Sequence, residues 1–551
     1  MPERLKKANW YKGRPGPLLL VIMDGVGYGK HEAGDAVRSA LTPTLDWLSA
    51  NSPNTPLAAH GLAVGLPSDE DMGNSEVGHN AIGSGRVFAQ GAKLVGASIA
   101  SGAMFAQPTW QELCQNCTAN HSTLHFLGLF SDGNVHSHMD HLKAMIIQAK
   151  ADGVTKIRVH TLLDGRDVGE TSALEYIDPF ETFLAECSEE GIFDARIASG
   201  GGRMRITMDR YGANWDMVRL GWETHVQGKG RQFACAHEAV ETLRSETGAI
   251  DQDLDPFVIA EDGCPIGTVE DGDSLVYFNF RGDRSIEISK AFEDEAFEYF
   301  DRGRKPKVLY AGMMEYDGDL HIPAKYLVSP PAIDRTLSEF LCQEGIRSMA
   351  ISETQKFGHV TYFFNGNRSG KICDKLENYV EIPSDVIPFE QRPWMKAAEV
   401  TDAVLEALAS EKYDFIRLNF PNGDMVGHTG VYQATQIAVE TVDLCLARLK
   451  TAIEKLGGVM VVSADHGNAD DMVEHDKKTG AVKTENGRPK VKTAHSLNPV
   501  PCIVYDPQYA QDYSLDLPEG LGVSSLAATC MNLLGFEAPD DYDPSVIKPM
   551  R

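Results

Sequence analysis

The sequence predicts an α/β fold with two domains, each built on a mainly parallel sheet. The chain has 551 residues, which is more than a single hydrophobic core usually serves, so two domains are expected. Short apolar runs rich in β-branched residues alternate with amphipathic stretches of helix length. That alternation is typical of parallel sheets covered by helices. Acidic residues directly follow several of the apolar runs, where open α/β sheets place their ligands.

The predicted strands are short and buried, and one long helix is predicted near the C-terminus. The strands span residues 18–23, 123–130, 157–163, 274–280, 307–313, 348–352, 415–420 and 459–463. The helix spans about residues 431 to 456, because apolar residues recur there at near-helical spacing. These residues are Ile437, Val439, Val442, Leu444, Leu446 and Leu449.

Composition excludes several classes of partner. The net charge of −28 argues against nucleic acid, because binding to a phosphate backbone requires a basic face. No apolar run approaches the ~20 residues that cross a bilayer, so no membrane span is expected. The ten cysteines show no regular framework, which predicts reduced thiols and a cytoplasmic location. An anionic substrate would have to be drawn in by a local group of arginines that overcomes the global charge.

Two hydrophilic segments are predicted to lie in solvent. Residues 1–16 are basic and are expected to form a solvated tail, with organellar targeting as a weaker alternative. Residues 477–492 contain Lys478, Lys483, Lys490 and Lys492 and are interpreted as a solvated insertion.

Acidic residues at strand ends are the first functional signal. Asp24 directly follows the strand at 18–23, Asp424 lies four residues after the strand at 415–420, and Asp465 lies two after the strand at 459–463. Any one of them alone is better interpreted as a helix cap or turn residue. Together they predict a metal site, because several buried carboxylates at one sheet edge require a cation.

Histidines near these acids strengthen the metal prediction. Asp424 and His428 are four residues apart and would share one face of a helical turn, and His495 can complete that site. His466 directly follows Asp465. Oxygen and imidazole donors suit Mn²⁺, Zn²⁺, Co²⁺ or, less well, Mg²⁺, and the lack of cysteine ligands argues against structural zinc.

Ser75 is the candidate nucleophile, within Gly-Asn-Ser-Glu-Val-Gly at residues 73–78. A serine hydroxyl needs a base or a metal to become nucleophilic at neutral pH. His79, four residues on, could act as that base, but a bound cation is the more economical activator. The alternative is that Ser75 is only the N-cap of a helix over residues 76–81.

Arginine and aspartate alternate in three glycine-containing loops of the middle segment. The loops are at residues 164–167, 202–210 and 280–284. Arginine forks held by neighbouring acids are suited to bidentate recognition of phosphate and carboxylate. Surface salt bridges are the alternative interpretation, which three such loops in one segment make less favourable.

These motifs closely resemble those of the cofactor-independent phosphoglycerate mutases of the alkaline phosphatase superfamily. The resemblance covers nearly the whole chain in order. It includes Val-Ile-Met-Asp-Gly at 21–25, Met-Gly-Asn-Ser-Glu-Val-Gly-His at 72–79, Ser-Asp-Gly-Asn-Val-His-Ser-His at 131–138, Asp-Gly-Arg-Asp at 164–167, Met-Asp-Arg at 208–210, Asn-Phe-Arg-Gly-Asp-Arg at 279–284, Lys356 with His-Val-Thr at 359–361, Asp-Met-Val-Gly-His at 424–428, Ser-Ala-Asp-His-Gly-Asn at 463–468 and Thr-Ala-His at 493–495.

The resemblance implies an isomerase that interconverts 3-phosphoglycerate and 2-phosphoglycerate without 2,3-bisphosphoglycerate. It implies an alkaline-phosphatase-like metal domain, residues 1–89 and 329–551, with an inserted α/β phosphotransferase domain, residues 90–328. Ser75 would carry the phosphoryl group, with Asp167 and Lys356 as further catalytic residues. Two divalent ions are implied, Mn²⁺ first with Co²⁺ or Mg²⁺ as alternatives, and a monomer is expected.

The resemblance also implies the ligand sets. One metal would be held by Asp424, His428 and His495, and the other by Asp24, Ser75, Asp465 and His466. The implied substrate-binding residues are His136, Arg166, Asp167, Arg203, Arg210, Arg281, Arg284 and Lys356. The loop at 202–210 is one residue longer than the family pattern, so Arg205 could replace Arg203; Arg203 is preferred because it follows the glycine.

Two rival interpretations remain at this point. Another enzyme on the same metal core, a phosphohydrolase or a phosphopentomutase, could share the acids and histidines but would not need both the 164–167 and 280–284 loops. A metal-stabilised binding protein would leave Ser75 in its turn without a role.

Overall fold

A computed structural model describes residues 2–66, 69–188, 191–209, 214–282, 284–317, 321–329, 333–476, 479–485, 487–514 and 520–550. The chain divides into two compact units. Unit 1 comprises Met1–Gln90 with Pro331–Arg551, and unit 2 comprises Gly91–Pro330.

The helices and strands follow in chain order. The N-terminal part of unit 1 contains β1 (Leu18–Met23), α1 (Ala36–Ser39), α2 (Pro43–Asn51), β2 (Asn54–Leu57) and α3 (Ser75–Ser84). Unit 2 contains α4 (Gly91–Ala100), α5 (Ala103–Ala106), α6 (Pro108–Asn120), β3 (Leu124–Phe130), α7 (Met139–Ala151), β4 (Lys156–Leu163), α8 (Ala173–Ser188), β5 (Asp194–Gly202), α9 (Trp215–His225), β6 (Arg231–Phe233), α10 (Ala236–Thr247), β7 (Phe257–Glu261), β8 (Cys264–Pro265), β9 (Ser274–Tyr277), α11 (Ile286–Glu293) and β10 (Leu309–Gly312).

The C-terminal part of unit 1 contains α12 (Leu337–Gln343), β11 (Ser348–Glu353), α13 (Thr354–Gly358), β12 (Glu377–Ile382), α14 (Ala397–Ala409), β13 (Phe415–Phe420), α15 (Asn422–Gly427), α16 (Tyr432–Leu456), β14 (Val459–Ser463), β15 (Thr484–Glu485), β16 (Arg488–Pro489), β17 (Val500–Tyr505), β18 (Tyr513–Ser514), α17 (Ser525–Leu533) and β19 (Lys548–Pro549). Short 3-10 turns lie at Gly61–Val64, Asp251–Asp253 and Phe389–Gln391, and a π-helical turn lies at His359–Phe363.

The main sheet of unit 1 has the order β12-β11-β13-β1-β14-β17-β2. Strands β12, β11, β13, β1 and β14 run parallel to their neighbours, whereas β17 is antiparallel to both β14 and β2. Every residue of β1 is buried, as its unbroken apolar sequence predicts for a strand covered on both faces. Because β1 pairs in parallel with both β13 and β14, the carboxyl ends of these strands meet at one edge.

The sheet of unit 2 is also mainly parallel. Its strand order is β10-β9-β3-β4-β5-β7-β6, with β8 paired to β7. Neighbouring strands from β10 to β5 run parallel, and β7 is antiparallel to β5. The loops that follow β9, β3, β4 and β5 therefore lie at the same edge, and the predicted α/β class with parallel-dominated sheets is confirmed.

The predicted long helix is confirmed as α16, although two of the apolar residues that indicated it are not buried. Val442, Leu446 and Leu449 are buried in the unit 1 core. Ile437 and Leu444, by contrast, are 45% and 67% exposed. These two are seven residues apart and share the solvent face of the helix, so apolarity alone did not identify the core stripe.

The prediction of a solvated N-terminal tail is wrong. The amide of Ala8 donates to the carbonyl of Gly535 over 2.9 Å, and Tyr11 is buried. The Arg14 guanidinium donates to Asp506 Oδ2 over 2.8 Å. The basic charge of this segment is matched by acidic residues near the other end of the chain, a pairing that local composition does not reveal.

The prediction that residues 477–492 lie in solvent is confirmed for residues 479–484 and 487–492, which are all exposed or half-buried. The segment is a paired hairpin rather than a loop; residues 477, 478 and 486 lie outside the described residues. Strands β15 and β16 form an antiparallel pair, and bridges join Val473 to Val491 and His475 to Val482. Charge pairing with Glu474 supports this hairpin arm: Lys483 Nζ and Lys490 Nζ lie 3.2 Å and 3.1 Å from its carboxylate oxygens.

All ten cysteines are free thiols, including the buried Cys114 and Cys117. Within the described part of the chain, no helix combines the length and the hydrophobicity that a bilayer span requires.

Candidate active site

The carboxyl edge of the unit 1 sheet brings the predicted metal-binding acids together. Asp24 follows β1, Asp424 lies in α15 after β13, and Asp465 follows β14. Their exposed fractions are 0%, 2% and 0%. Gly25 permits this convergence, because its φ of 75° favours glycine and a Cβ there would lie 2.6 Å from the Asp424 amide nitrogen.

One group of donors forms around Asp424. Its Oδ1 atom lies 3.2 Å from His428 Nε2 and 3.1 Å from His495 Nε2, and the two Nε2 atoms are 3.0 Å apart. The prediction that Asp424 and His428 share one face of a helical turn is therefore confirmed.

The tautomers of these histidines follow from their other ring nitrogens. His428 Nδ1 lies 2.7 Å from the carbonyl oxygen of Thr493, and His495 Nδ1 lies 2.7 Å from that of Gly73. Each Nδ1–H donates to its carbonyl, so Nε2 is the ring atom that each histidine directs toward Asp424. Burial, followed by the neighbouring His466, lowers the pKa of His495 to about 3, which keeps it neutral. Two Nε2 atoms facing one carboxylate form a donor set that a divalent cation satisfies.

A second group of donors forms around His466. Its Nε2 atom lies 3.4 Å from Asp24 Oδ1 and 3.7 Å from Asp465 Oδ2. It also lies 2.9 Å from Ser75 Oγ, which is 3.2 Å from Asp24 Oδ1. Burial and then the charge of Asp465 raise the pKa of Asp24 to about 6, although Lys356 opposes them. Carboxylates this crowded are stabilised by positive charge, so this group also fits a divalent cation.

The two groups adjoin at His466. Asp24, Asp465 and His466 offer ligand atoms within 4.8 Å of one another, and so do Asp424, His466 and His495. His466 therefore borders both groups, whereas the family resemblance assigns it to one. All seven predicted ligands lie at this edge of the unit 1 sheet.

Ser75 is the first residue of α3, and the preceding Asn74 is its N-cap. The Asn74 side chain accepts a hydrogen bond from the Val77 amide over 3.1 Å, so the N-cap interpretation of Ser75 is wrong. The alternative of His79 as base is not supported by its contacts. Its Nδ1 lies 2.8 Å from the Ser75 carbonyl oxygen and 3.3 Å from Asp465 Oδ2.

Lys356 extends from α13 into the same cluster. Its ammonium group lies 3.0 Å from Asp24 Oδ1 and 2.8 Å from Asp424 Oδ2, and it donates to Ser75 Oγ. Burial alone would lower the pKa of Lys356, but Asp24, Asp424 and Asp465 together raise it, so the side chain is cationic. Ser75 thus lies between an ammonium group and the two donor groups.

Sequence reasoning missed two buried amides that support the acids. Asn419 Nδ2 donates to Asp24 Oδ2 over 2.7 Å, and Asn468 Nδ2 donates to Asp424 Oδ1 over 3.2 Å. Asn419 is a polar residue inside the otherwise apolar end of β13, which was a usable signal. Such second-layer contacts orient carboxylates toward a metal.

Unit 2 places its predicted substrate residues at the carboxyl edge of its own sheet. His136 follows β3, Arg166 and Asp167 follow β4, Arg203 follows β5, and Arg281 with Arg284 follow β9. These strands are adjacent and parallel, which explains why loops distant in sequence lie at one edge. Arg210 lies outside the described residues.

The arginine side chains of these loops differ in burial and in the contacts that hold their guanidinium groups. The Arg203 guanidinium is 1% exposed, lies 2.9 Å from Asp164 Oδ1 and also contacts Asp167. Arg284 Nη1 donates to the Met208 carbonyl over 2.6 Å. Arg205, in contrast, is 50% exposed and pairs with Asp255 at 2.6 Å. The buried and braced Arg203 is the better placed of the two for recognising an anion.

Known proteins resemble this chain throughout its length. A family model described as the Metalloenzyme superfamily matches residues 16–538. The probable 2,3-bisphosphoglycerate-independent phosphoglycerate mutase of Leptospira interrogans is 54% identical over 547 residues, covering 99% of this chain and 100% of that protein. The corresponding mutase of Trypanosoma brucei brucei is 51% identical over 539 residues, covering 96% and 97%. The crystal structure of Leishmania mexicana phosphoglycerate mutase at low cobalt concentration has a TM-score of 0.85 and 49% identity, with 100% of both chains covered.

The superfamily match and the buried donor groups define a metalloenzyme that binds divalent cations. Within that class, the chain belongs to the family of 2,3-bisphosphoglycerate-independent phosphoglycerate mutases.

Proposed function

We propose that this enzyme interconverts 3-phosphoglycerate and 2-phosphoglycerate through a phosphoserine at Ser75, with no bisphosphoglycerate required. The observation that carries the proposal is the position of the Ser75 hydroxyl. It is buried and lies within hydrogen-bonding distance of Asp24, His466 and Lys356, beside both donor groups. A binding protein has no need of a hydroxyl in that position.

We assign one cation to Asp424, His428 and His495, and the other to Asp24, Ser75, Asp465 and His466. When bound, such cations neutralise the charge of phosphoryl oxygens and lower the pKa of a ligating hydroxyl. The family membership supports divalent metal. Mn²⁺ remains our preferred ion because of the mixed oxygen and imidazole donors, with Co²⁺ or Mg²⁺ as alternatives.

Ser75 would perform the first transfer. Its Oγ, which would already have lost its proton to solvent because a ligating cation lowers the pKa of the hydroxyl, attacks phosphorus in line. The Oγ–P bond forms, and the bond from phosphorus to the glycerate 3-oxygen breaks. Lys356 would hold the phosphoryl oxygens, because its ammonium group contacts Ser75 Oγ and stays charged. Catalysis of this kind consists mostly of positioning and charge neutralisation.

The second transfer reverses these bonds at a different oxygen. The glycerate 2-hydroxyl attacks phosphoserine, the new P–O bond forms, and the Oγ–P bond breaks. We propose that Asp167 starts the cycle protonated and gives its proton to the departing 3-oxygen in the first step. The carboxylate that results then takes the proton from the 2-hydroxyl in the second step, which restores the starting state. Contact with the Arg203 guanidinium keeps the Asp167 carboxylate oriented for this role.

The glycerate would be bound by His136, Arg166, Arg203, Arg281 and Arg284, together with Arg210. Arg203 supports this assignment, because its buried Nε–H has no hydrogen-bond partner among the described residues. A buried donor of that kind favours an anionic ligand. The division of labour proposed is phosphoryl chemistry in unit 1 and glycerate recognition in unit 2.

We also propose a monomeric, cytoplasmic enzyme. The free thiols fit a reducing compartment. Sedimentation analysis and fractionation of the native cell would check these two statements.

The test is conversion of 3-phosphoglycerate, coupled to enolase, with no bisphosphoglycerate added. We expect activity that is lost on chelation, restored by Mn²⁺ or Co²⁺, and absent in Ser75→Ala, with the far-ultraviolet circular dichroism unchanged. Activity that persists after thorough metal removal would refute the two-metal assignment. Faster release of inorganic phosphate than of 2-phosphoglycerate would identify a phosphohydrolase instead.

A further inference from the structure

Unit 2 contains a continuous chain of buried polar side chains that the proposed mechanism does not use. This polar chain passes from Asp273 through His125, His160, Ser199 and His225 to Thr207. All of these residues are buried, with exposed fractions from 0% to 4%. It crosses the sheet from β3 through β4 to β5, where His160 pairs with Ser199 in the ladder, and it then reaches the end of α9.

Every link is within hydrogen-bonding distance. Asp273 Oδ2 to His125 Nε2 is 3.1 Å, and His125 Nδ1 to His160 Nε2 is 2.9 Å. His160 Nδ1 to Ser199 Oγ is 2.7 Å, and Ser199 Oγ to His225 Nδ1 is 2.8 Å. The last link joins His225 Nε2 to Thr207 Oγ1 at 3.2 Å.

The direction of these hydrogen bonds follows from elementary valence. Burial lowers the pKa of all three histidines, so each is neutral, donating through one ring nitrogen and accepting through the other. The Asp273 carboxylate accepts from His125 Nε2–H, which obliges His160 Nε2–H to donate to His125. Ser199 must then donate to His160 and accept from His225 Nδ1–H. His225 Nε2 is left as the acceptor for the Thr207 hydroxyl.

Thr207 is the residue that needs such an anchor. Its φ is 67°, an uncommon and strained value for a β-branched side chain. The Met208 amide donates to the Ile206 carbonyl over 2.7 Å, so Thr207 is the centre of a tight three-residue turn. Helix α9 packs directly against it, because a Cβ on Gly221 would lie 2.1 Å from Thr207 Oγ1.

The turn at Thr207 also helps to orient Arg284, a proposed substrate-binding residue. The Met208 carbonyl, one residue past Thr207, accepts from Arg284 Nη1 over 2.6 Å. On the other side, the Ile206 amide bonds the Gly202 carbonyl over 3.1 Å, directly before Arg203. Any relaxation of the strained turn would therefore move the carbonyl that orients the Arg284 fork.

We propose that Thr207 and His225 are positioning residues, which hold this strained turn so that Arg284 and Arg203 keep the orientation needed to bind the substrate. The inference rests on the proposed function, since it takes these arginines as glycerate-binding. The Thr207 hydroxyl matters here because it joins the turn to the polar chain that runs through the sheet.

The test compares three variants in the enolase-coupled assay on the full chain. Thr207→Val removes the hydroxyl at nearly constant volume, and we expect KM for 3-phosphoglycerate to rise about tenfold with kcat within about twofold. Thr207→Ser keeps the hydroxyl and should restore KM to within about twofold of the wild type. Thr224→Val is the matched control. Its buried hydroxyl lies in the same helix as His225 and donates only to the Leu220 carbonyl over 2.8 Å, so KM should not change.

Equal KM values for Thr207→Val and Thr224→Val would overturn the proposal, as would a failure of Thr207→Ser to restore KM. A second measurement needs no variant and no activity: ¹⁵N chemical shifts of the histidine rings. The proposal requires His225 protonated on Nδ1, and a ring protonated on Nε2 instead would refute it. A wild-type protein without mutase activity would count against the proposed function alone, because the tautomer result stands independently.

Discussion

Replacement of Arg203 by glutamine tests most directly whether the buried arginine or its exposed neighbour recognises the substrate. The Arg203 guanidinium is 1% exposed and contacts both Asp164 and Asp167. Glutamine is neutral, so the variant leaves these two carboxylates without their shared cation. Breaking a buried ion pair from one side costs about 3–5 kcal/mol of stability. A lost charge-assisted hydrogen bond to the substrate costs about 1.5–3 kcal/mol, or about ten- to a hundredfold in kcat/KM.

Arg205→Gln is the matched control. Arg205 and its partner Asp255 are 50% and 52% exposed, and exposed pairs contribute about 0–1 kcal/mol. The assay is steady-state conversion of 3-phosphoglycerate at saturating metal, with a thermal melt of each variant. We expect a large loss of kcat/KM and a lower Tm for Arg203→Gln, and almost no change for Arg205→Gln. A larger loss of kcat/KM in Arg205→Gln would refute the assignment of Arg203.

Two further predictions concern stability and metal affinity. Burial raises the pKa of Glu293 to about 7 from its usual 4.5. Between pH 4.5 and about pH 7 the folded protein therefore holds a proton that the unfolded chain has lost. Deprotonation of Glu293 thus lowers the stability of the fold as pH rises through this window. Glu293→Gln should therefore raise Tm by a few degrees at pH 8 but not at pH 4, and an equal shift at both values in calorimetric melts would contradict this. Asn468→Ala removes the donor to Asp424 and should weaken Mn²⁺ affinity about 10–100-fold by titration calorimetry. Asn532→Ala, which removes only a bond to the Phe536 carbonyl, is its control, and equal affinities in the two variants would exclude a role for Asn468.

Much of the fold could be predicted because its central strands are continuous apolar runs. β1, β13 and β14 lie where their sequences indicate, and the acids that follow them converge as expected. The order of the strands could not be predicted, since it depends on pairings between residues far apart in sequence, such as Met23 with Phe420. β17 was missed because Pro501 weakens the strand pattern of an otherwise apolar run.

The donor residues of the candidate site could be proposed from residue type, but their supporting contacts could not. Asn419 is marked as unusual by its position in the apolar end of β13, but the sequence does not indicate that its partner is Asp24 on a neighbouring strand. The choice between Arg203 and Arg205 depends on burial, which two arginines in one loop do not reveal. The strained turn at Thr207 likewise has no local signal, because threonine there is held by α9 and a chain of histidines from other elements.

Ser75 is proposed to be a temporary phosphoryl carrier, and every step of the proposed reaction passes through it. The direct measurement is rapid acid quenching of the metal-loaded enzyme during turnover of 3-phosphoglycerate, followed by mass spectrometry of the peptide that contains Ser75. We expect one phosphoryl group on Ser75 while 2-phosphoglycerate accumulates. Formation of 2-phosphoglycerate with the phosphoryl group on another residue, or on no residue, would contradict this expectation.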